Sequence, residues 1–445
     1  MGLAELREEL DRVDRELVKL YRERMSLVSE VAKEKRRSGR AVLDPAREEE
    51  KLDSVSAFLK TELREKLPLE GIPREEGTEK EPKGAAVPGE ESGREMSLSG
   101  ESEEDSRRAG VDMEFHERAV RELFRQLMSL SRRWQQRLLG REPSPASGFR
   151  EVSEISRKKK RVAYQGLPGA YAELAARKSF PDDCRFLPSE SFRSTVESVL
   201  SGEADFAVLP IENSSYGAVA DNFDLLLQFP EAVILGECFL PVEHVLMALS
   251  GGTLSGIRRV FSHPQALAQC ESFFREHPGI EAVPMRNTAE AARRVRESGD
   301  RELAALASEN AAELYGLSIL QRAVNQQKSN TTRFLIVGKE KIYERGAERL
   351  SLSFELSHRP GALYQVLGSF LFNDLNLSMI QSRPVPDRPF EYRFFVDVMG
   401  NLSDPDVRNA LSELPGFRIL GNYSDFSDAF PRNSAFPAER IKGGI

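Results

Sequence analysis

The sequence has little of what several protein classes require. Its 445 residues include three cysteines, an odd and scattered set without the spacing of a metal site, at Cys184, Cys238 and Cys270. This set excludes a disulfide framework, argues against zinc and is typical of a reducing compartment. No apolar run is long enough to cross a membrane, and the charged first residues lack the apolar core of an export signal. The sequence therefore predicts a cytoplasmic protein without a metal site or a membrane partner.

The overall charge also gives no sign that the protein binds large polyanions. A formal net charge of −8 gives no broad basic surface, and the basic run at residues 157–161 is isolated. We therefore expect no nucleic-acid partner. Changes in residue pattern predict domains at residues 1–140, 161–341 and 348–427, with a linker at 141–160 and a tail at 428–445 that carries no usable signal.

The first 38 residues carry an apolar seam whose members alternate three and four apart, as on one face of a long helix: Leu3, Leu6, Leu10, Val13, Leu17, Leu20, Leu27 and Val31. Arg24 interrupts this seam, and a buried cation needs an anionic partner. Such a helix would be roughly 50 Å long, too long for a small monomeric domain to cover. The pattern therefore predicts a partner chain, in a homodimer or a higher homo-oligomer.

Two more helices follow. Asp44 and Pro45 provide an N-cap and a first-turn proline for a helix over residues 45–67, which Pro68 ends. Residues 68–111 are rich in Pro, Gly, Glu and Ser, and we expect them to be disordered. A third amphipathic helix is predicted over residues 112–139, with Ser131 and Gln135 on one face because they lie four residues apart.

This arrangement resembles the all-helical class of chorismate mutase, an intertwined dimer. The resemblance rests on these positions: Arg7, Arg24, Lys35, Asp44, Arg47, Glu48, Ser131 and Gln135. It implies that Arg24 and Arg47 hold the carboxylates of chorismate and that Arg7 acts from the other subunit. It further implies that Lys35 and Gln135 bond the ether oxygen and that Glu48 holds a hydroxyl, with Asp44 and Ser131 also binding substrate. The long acidic insert departs from the compact bacterial pattern.

The middle of the chain shows strands that run into polar or glycine-rich turns. An apolar strand at residues 206–211 ends at Glu212 and Asn213, and Gly217 then opens a helical pattern. Such turns face the crevice of an α/β sheet, where helix N-termini bind anions. Four motifs of this kind occur in order: GLPGAY, PIENSSYG, SHPQAL and TTRF.

These four motifs resemble the catalytic domain of prephenate dehydratase. The resemblance implies a two-lobed α/β domain, similar to periplasmic binding proteins, that needs no cofactor. Thr332 would assist the leaving hydroxyl of prephenate. The implied pocket residues are Glu212, Asn213, Ser262 and Gln265. Arg333 would be structural or face an anion, and His263 would begin a helix or take part in catalysis.

The last domain has a predicted βαββαβ order, typical of the α+β ferredoxin-like plait. The segments HRPGALY and QSRP resemble the ACT regulatory domain attached to prephenate dehydratases. This resemblance implies a phenylalanine site whose members are Gly361, Ala362, Leu363, Gln381, Ser382 and Arg383. Ser382 and Arg383 are predicted to form a turn with Pro384. The family usually has Glu where this chain has Gln381, which predicts weaker effector binding.

Taken together, the patterns predict a bifunctional enzyme of phenylalanine biosynthesis. It would rearrange chorismate to prephenate, then decarboxylate and dehydrate prephenate to phenylpyruvate, with feedback inhibition by phenylalanine. Two alternatives stay open: arogenate as the dehydratase substrate, and a non-catalytic amino-acid sensor. Sequence does not separate prephenate from arogenate, although a fused mutase favours prephenate.

Overall fold

A computed structural model describes residues 2–66, 100–139, 148–326, 329–414 and 416–427. The chain divides into two compact units. The helical unit comprises Met1–Arg141, Gln365–Asp374 and Asn409–Glu413. The α/β unit comprises Glu142–Tyr364, Leu375–Arg408 and Leu414–Ile445.

The helical unit contains three long helices: α1 (Leu3–Ser38), α2 (Pro45–Lys66) and α3 (Gly100–Leu139). Both α1 and α2 pack against α3. Gly39 ends α1 in the left-handed region, at φ 66°, where glycine is favoured. The Oδ1 atom of Asp44 accepts a hydrogen bond from the backbone N–H of Arg47 over 3.1 Å, which caps α2. The predicted boundaries of α1 and α2 are therefore confirmed.

The third helix begins earlier than predicted. It starts at Gly100 rather than near Asp112, so residues 100–111 are helical and the disorder expected there is wrong. The low apolar content of this segment suggested disorder, but its Glu and Arg residues are good helix formers. The remainder of the predicted insert, up to residue 99, lies outside the described residues.

Every member of the α1 seam is exposed, most of them in the first half of the helix. Leu10 is 62% exposed, Leu17 55% and Leu20 60%. The described part of this unit covers α1 only from about the sixth turn onward, where Arg24 is half-buried, and Ala32, about two turns further on, is 1% exposed. A contiguous apolar stripe of this length marks a surface for association.

The α/β unit has two lobes. The elements of the first lobe are β2 (Arg161–Gln165), α4 (Tyr171–Ser179), β3 (Arg185–Ser189), α5 (Phe192–Ser201), β4 (Phe206–Asn213), β5 (Gly217–Ala218), α6 (Ala220–Gln228), β6 (Val233–Pro241) and β12 (Thr331–Gly338). Those of the second lobe are β7 (Val245–Ala248), β8 (Arg259–Ser262), α7 (Pro264–Gln269), α8 (Glu271–Glu276), β9 (Glu281–Pro284), α9 (Thr288–Ser298), β10 (Leu303–Ala307), α10 (Glu309–Tyr315) and β11 (Ser318–Gln321). The second lobe forms a five-stranded sheet in the order β11-β7-β10-β8-β9.

Strand β4 is longer than predicted. It continues through Glu212 and Asn213, which pair with β12 and with the short strand β5. Gly217 lies in β5, so it does not open the helix, and α6 begins at Ala220. The polar residues therefore project from a paired strand end, because the ladder to β12 extends past the last apolar residue.

The predicted linker is partly structured. Residues 140–147 lie outside the described part, but β1 (Arg150–Val152) pairs in parallel with β13 (Ile342–Glu344). Local hydrophobicity gave no signal for this strand, since it is only three residues long.

The C-terminal segment follows the predicted element order: β14 (Arg349–Leu356), α11 (Ala362–Phe372), β15 (Leu377–Pro384), β16 (Tyr392–Met399), α12 (Pro405–Glu413) and β17 (Phe417–Asp425). Its strands join those of the first lobe in one ten-stranded sheet, whose order is β15-β16-β14-β17-β6-β12-β4-β2-β3 with β5 beside β4. Strand β17 pairs in parallel with β6 at Gly421 and Ile234. A side chain at Gly421 would lie 2.0 Å from the Ile234 carbonyl oxygen, so this approach requires glycine.

Candidate active sites

Thr332 and Asn213 face each other across the β4–β12 ladder. Asn213 Nδ2 donates to Thr332 Oγ1 over 2.9 Å. The Oδ1 atom of Asn213 accepts from the backbone N–H groups of Ser215 and Tyr216, at 3.0 and 3.2 Å. These two bonds fix the orientation of the amide, so Thr332 is the acceptor and its own proton is left for another partner.

A chain of polar contacts extends from this pair. Asn213 Nδ2 also donates to Asn330 Oδ1 over 2.8 Å, and Asn330 Nδ2 donates to Gln269 Oε1 over 3.1 Å. Gln269 Oε1 lies 2.7 Å from His244 Nε2, and His244 Nδ1 lies 2.9 Å from the Tyr171 hydroxyl. The chain therefore links residues from all four sequence motifs or their flanks through buried groups.

Sequence reasoning assigned no individual role to His244, Gln269 or Asn330. Gln269 lies four residues after Gln265, on the same face of α7, and this spacing was a usable signal. His244 had none, because it lies in the connection between β6 and β7. Burial lowers the pKa of His244 to about 4, although its bond to Gln269 acts in the opposite direction.

A small cavity of about 100 Å³ adjoins this chain. Ser215 and Tyr216 line it from the first lobe, Gln269 from the second, and Asn325 and Asn330 from the connecting segment. This volume is below the roughly 300 Å³ of usual ligand pockets. The cavity lies where the lobes meet, a usual position for a ligand site.

The other predicted residues of this site lie in different surroundings. Ser262 is fully buried, and its hydroxyl donates to the Leu306 carbonyl over 2.6 Å, so it is held inside the second lobe instead of lining the cavity. Gln265 is half-buried in the first turn of α7, where its backbone N–H donates to His263 Nδ1 over 3.2 Å. His263 is therefore the N-cap of α7. Glu212 is partly exposed at the end of β4.

Arg333 points away from Thr332, as expected for consecutive residues of a strand. Its guanidinium donates to Glu237 over 2.7 Å, to Asp397 over 2.6 Å and to the Tyr423 hydroxyl over 2.9 Å. Burial alone would lower the pKa of Arg333, but Asp397 and Glu237 raise it well above its usual value. Of the two roles left open by the sequence, the structure therefore gives the structural one.

In the helical unit, Arg24 and Ser131 contact each other, and Lys35 lies within electrostatic reach of Asp44 and Glu48. Arg24 donates to the Leu127 carbonyl over 3.1 Å and to the Ser131 hydroxyl. Lys35 Nζ donates to the Val42 carbonyl over 2.6 Å. Burial lowers the pKa of Lys35, while Asp44 and Glu48 oppose that change and Arg132 adds to it. Lys35 therefore lies in the electrostatic field of Glu48.

The most buried stretch of α3 is polar. Ser131 is 4% exposed and Gln135 6%. The Oε1 atom of Gln135 is buried and has no hydrogen-bond partner among the described residues. A buried amide oxygen without a hydrogen-bond partner is costly unless a ligand supplies the donor. This stretch is therefore a candidate site for a polar ligand.

Of the remaining predicted residues of this unit, Arg7 and Arg47 are exposed, and Asp44 has a structural role besides its interaction with Lys35. Arg47 is exposed and pairs with Glu50 over 2.7 Å, so the structure does not bring it to Lys35. Asp44 serves as the cap of α2. Arg7 lies on the exposed first half of α1. Arg132, which the sequence reasoning missed, contacts Glu48 through both carboxylate oxygens.

The predicted effector residues lie in β15 and at the start of α11. Gly361 has φ +77° and open space around its α-carbon, and Ala362 begins α11, with Leu363 beside it. Gln381 lies on β15. The predicted turn at Ser382 and Arg383 is wrong, because β15 pairs with β16 through Pro384. Arg383 instead binds Asp224 of α6 over 2.5 and 3.1 Å.

The described residues include neither a membrane-spanning helix nor a metal-binding cluster. No helix among them is long and apolar enough to span a membrane. No group of three or more His, Cys, Asp or Glu side chains in that part of the chain could hold a metal ion.

A helical segment with buried cations and a two-lobed segment with a threonine site define an enzyme with two catalytic domains. Residues 6–136 match the family model of chorismate mutase type II, and residues 162–342 match that of prephenate dehydratase. A prephenate dehydratase structure from Arthrobacter aurescens, in complex with L-Phe, is 32% identical with a TM-score of 0.55, over 60% of this chain and 90% of that one. The chain belongs to the prephenate dehydratase family and carries an N-terminal chorismate mutase domain.

Two other similar proteins are described with different functions. Arogenate dehydratase 1 of Petunia hybrida is 41% identical over 59% of this chain, and the match spans 66% of that enzyme. A structure described as a novel type of quorum quenching acylase, GqqA, is 37% identical with a TM-score of 0.55, over 60% of this chain and 98% of that one. Both an isomerase domain and a lyase domain are present here, and they support successive conversion of chorismate to prephenate and of prephenate to phenylpyruvate.

Proposed function

We propose that this chain carries out two successive reactions of phenylalanine biosynthesis without a cofactor. The helical unit rearranges chorismate to prephenate, and the α/β unit converts prephenate to phenylpyruvate. The observation that carries the second step is the hydrogen bond from Asn213 to Thr332, which leaves the threonine proton available. Purified protein supplied with chorismate should form prephenate and then phenylpyruvate, and formation of neither product would refute the proposal.

The mutase step is a concerted rearrangement, so it requires neither an acid nor a covalent intermediate. The site has to hold the compact conformer and stabilise the charge that grows on the ether oxygen. Lys35 and Gln135 are the proposed donors to that oxygen, and Arg24 binds a carboxylate. The side chain of Gln135 is 6% exposed, and its amide nitrogen would be the donor to that oxygen. Lys35→Ala should abolish prephenate formation and leave the conversion of added prephenate intact.

In the dehydratase step, the bond from the ring to its carboxylate breaks and releases CO2. The electron pair enters the ring, which becomes aromatic as the hydroxyl leaves and takes up a proton to form water. Thr332 donates a hydrogen bond to that hydroxyl as negative charge develops on it. Asn213 lines the site, whereas Glu212 pairs with Arg333 across the β4–β12 ladder and lies on its side of the sheet. The lobes separate to admit the substrate, since the cavity of about 100 Å³ is too small for it.

The mutase works as a homodimer in which α1 of one chain covers α1 of another. The exposed seam of α1 and the position of Arg7 on the same half of the helix support this, because Arg7 would complete the partner's site. Complementation tests it. Arg7→Ala and Lys35→Ala, each inactive alone, should regain about a quarter of the wild-type mutase sites when they are mixed and reassembled, since one site of each heterodimer is intact. No recovery in verified heterodimers would exclude a shared site.

The C-terminal plait is the proposed ACT domain, which binds phenylalanine between neighbouring subunits and inhibits the dehydratase. Its element order and the positive φ of Gly361, which frees backbone N–H groups before α11, support this assignment. Gln381, Ser382 and the backbone of β15 would form the opposite wall. Gly361→Val should remove binding, and Gln381→Glu should tighten it. No binding of millimolar phenylalanine to wild type would exclude this role.

Arogenate is the second candidate substrate, favoured by the similarity to the Petunia arogenate dehydratase. The two substrates differ in an amino group, so parallel kcat/KM measurements with prephenate and arogenate distinguish them. The non-catalytic sensor remains the alternative from another class, and it predicts phenylalanine binding with turnover of neither substrate.

The buried free cysteines support a reducing compartment such as the cytoplasm.

A further inference from the structure

Arg132 is a buried cation on the polar face of α3 that neither the motifs nor the family resemblance identify. Its side chain is 9% exposed. One terminal nitrogen, Nη1, donates to both carboxylate oxygens of Glu48. On its other side, Nη2 lies 2.9 Å from a carboxylate oxygen of Glu413, and Nε donates to the same oxygen over 3.2 Å.

This arrangement satisfies a charge that would otherwise be costly to bury. Burial would lower the pKa of Arg132, but Glu413 and Glu48 act together to raise it. Arg132 therefore remains a cation. An arginine fork held on both edges has little freedom to rotate, so it fixes the carboxylates that it binds.

Glu413 is itself firmly held. Its side chain is 7% exposed, and it accepts from the Ser129 hydroxyl at both carboxylate oxygens, over 2.8 and 3.0 Å. Residues Asn409–Glu413 belong to the same compact unit as α3. Ser129 and Arg132 are three residues apart and therefore lie on neighbouring positions of one helical face.

We propose that Arg132 is a positioning residue of the mutase site. It holds the Glu48 carboxylate in place for the substrate, and Glu413 holds Arg132, so chorismate binding depends on the last residue of α12. This inference rests on the proposed role of Glu48 in binding a chorismate hydroxyl. An ionised carboxylate has about four acceptor positions, so Glu48 can bind Arg132 and still accept from that hydroxyl.

The test compares mutase kinetics of full-length variants with chorismate. Arg132→Met keeps the length of the side chain without its charge and should raise KM about tenfold, with kcat changed by less than about threefold, because a lost charged hydrogen bond weakens ground-state binding. Glu413→Gln should raise KM by a smaller factor of about three, and Arg132→Lys should fall between wild type and Arg132→Met. The double variant Arg132→Met/Glu413→Gln should equal Arg132→Met, since both act through one carboxylate.

Arg133→Met is the matched control. Arg133 lies on the same helix, donates to the Phe372 carbonyl of the same unit over 2.8 Å and lies 3.8 Å from the Asp374 carboxylate. KM should stay within about twofold of wild type in this variant. Far-UV circular dichroism and thermal unfolding report whether the helical unit of each variant is folded, and Glu413→Gln keeps the test open if Arg132→Met does not fold.

Three results would overturn the inference. One is a wild-type KM in Arg132→Met when Glu48→Gln raises KM, and another is a wild-type KM in Glu413→Gln. The third is an equal increase in Arg132→Met and Arg133→Met, because any loosening of this unit would then explain both. If Glu48→Gln itself leaves KM unchanged, the proposed role of Glu48 fails, which is a separate result.

Discussion

Asn213 donates to the hydroxyl oxygen of Thr332 over 2.9 Å, while both acceptor positions of its own oxygen are occupied by backbone N–H groups. The bond therefore has a fixed direction. Thr332 cannot donate to this amide nitrogen, so its hydroxyl proton is available for a hydrogen bond to a bound substrate. A threonine held this way is a hydrogen-bond donor, which is a more modest role than proton source.

Removal of the Thr332 hydroxyl should abolish the dehydratase selectively. We expect Thr332→Ala to lower kcat about a hundredfold or more, because one donor at a developing charge is lost. Mutase activity should be unchanged. Thr331→Ala is the control, since consecutive strand residues face opposite sides of the sheet. Near-normal turnover by Thr332→Ala would mean that another group assists the leaving hydroxyl.

Reversal of the Asn213 bond should be as harmful as removal of the hydroxyl. In Asn213→Asp the carboxylate can only accept, so the Thr332 hydroxyl would donate its hydrogen bond to residue 213. That hydrogen bond would then not be available to the substrate. We expect kcat to fall about a hundredfold and to fall less in Asn213→Ala, which leaves the threonine proton free. Steady-state kinetics with prephenate distinguish the two variants. Equal activities would contradict the assigned direction of the bond.

Burial of neutral His244 should make the α/β unit sensitive to acid. Its pKa is about 4 in the fold, against an ordinary histidine pKa of about 6.5. Above 6.5 both states are neutral and stability is complete. As pH falls from 6.5 towards 4 the unfolded chain binds a proton that the folded chain does not, so stability is lost. At pH 5 the loss should be about 2 kcal/mol.

Urea unfolding at pH 7 and pH 5 measures this loss. His244→Gln should be less sensitive to the change of pH than wild type, because a neutral amide replaces the imidazole. His277→Gln serves as the control, since His277 lies outside the polar chain and bonds the Phe273 carbonyl. If His244→Gln keeps the full wild-type dependence, other groups cause the acid sensitivity.

Arg383 should transmit the effect of phenylalanine without binding it. Its guanidinium pairs with Asp224 of α6, and α6 follows the strand end that carries Asn213. We expect Arg383→Met to keep phenylalanine affinity within about threefold and to weaken dehydratase inhibition, because coupling energies of roughly 1 to 3 kcal/mol can depend on one contact. Calorimetry and inhibition kinetics give the two quantities separately.

The partner variant Asp224→Asn should have the same effect as Arg383→Met. Arg388→Met is the control, because Arg388 lies on the same hairpin and pairs with Glu391 over 2.8 Å. Full inhibition by phenylalanine in Arg383→Met would show that the signal follows another route.

The helices and most strands could be predicted because their signals are local. The seam of α1, the cap at Asp44 and the apolar run of β4 each lie within a few turns or residues. The start of α3 was missed because low hydrophobicity is shared by disordered segments and by exposed helices. β1 was missed because three residues carry no periodicity.

The candidate sites were predictable only in part, since their bonds join distant segments. Asn213 and Thr332 are 119 residues apart, and Arg132 lies 84 residues from Glu48. Sequence motifs identified the first pair through resemblance. Arg132 and His244 reach their partners only through the tertiary fold, and no short pattern around them indicates it, whereas the spacing of Gln269 from Gln265 was a usable signal. Ser262 had the right motif, but its bond to Leu306 holds it inside the second lobe.

The pairing of β17 with β6 determines where the chain can be cut. Val233–Pro241 is apolar and largely buried, and one of its two edges is covered by β17. A protein shortened before β14 would expose that edge as a row of unpaired N–H and C=O groups on a hydrophobic strand, a template for self-association. The catalytic lobes are therefore expected to aggregate when they are produced without the plait, even though they contain every residue of the Thr332 site.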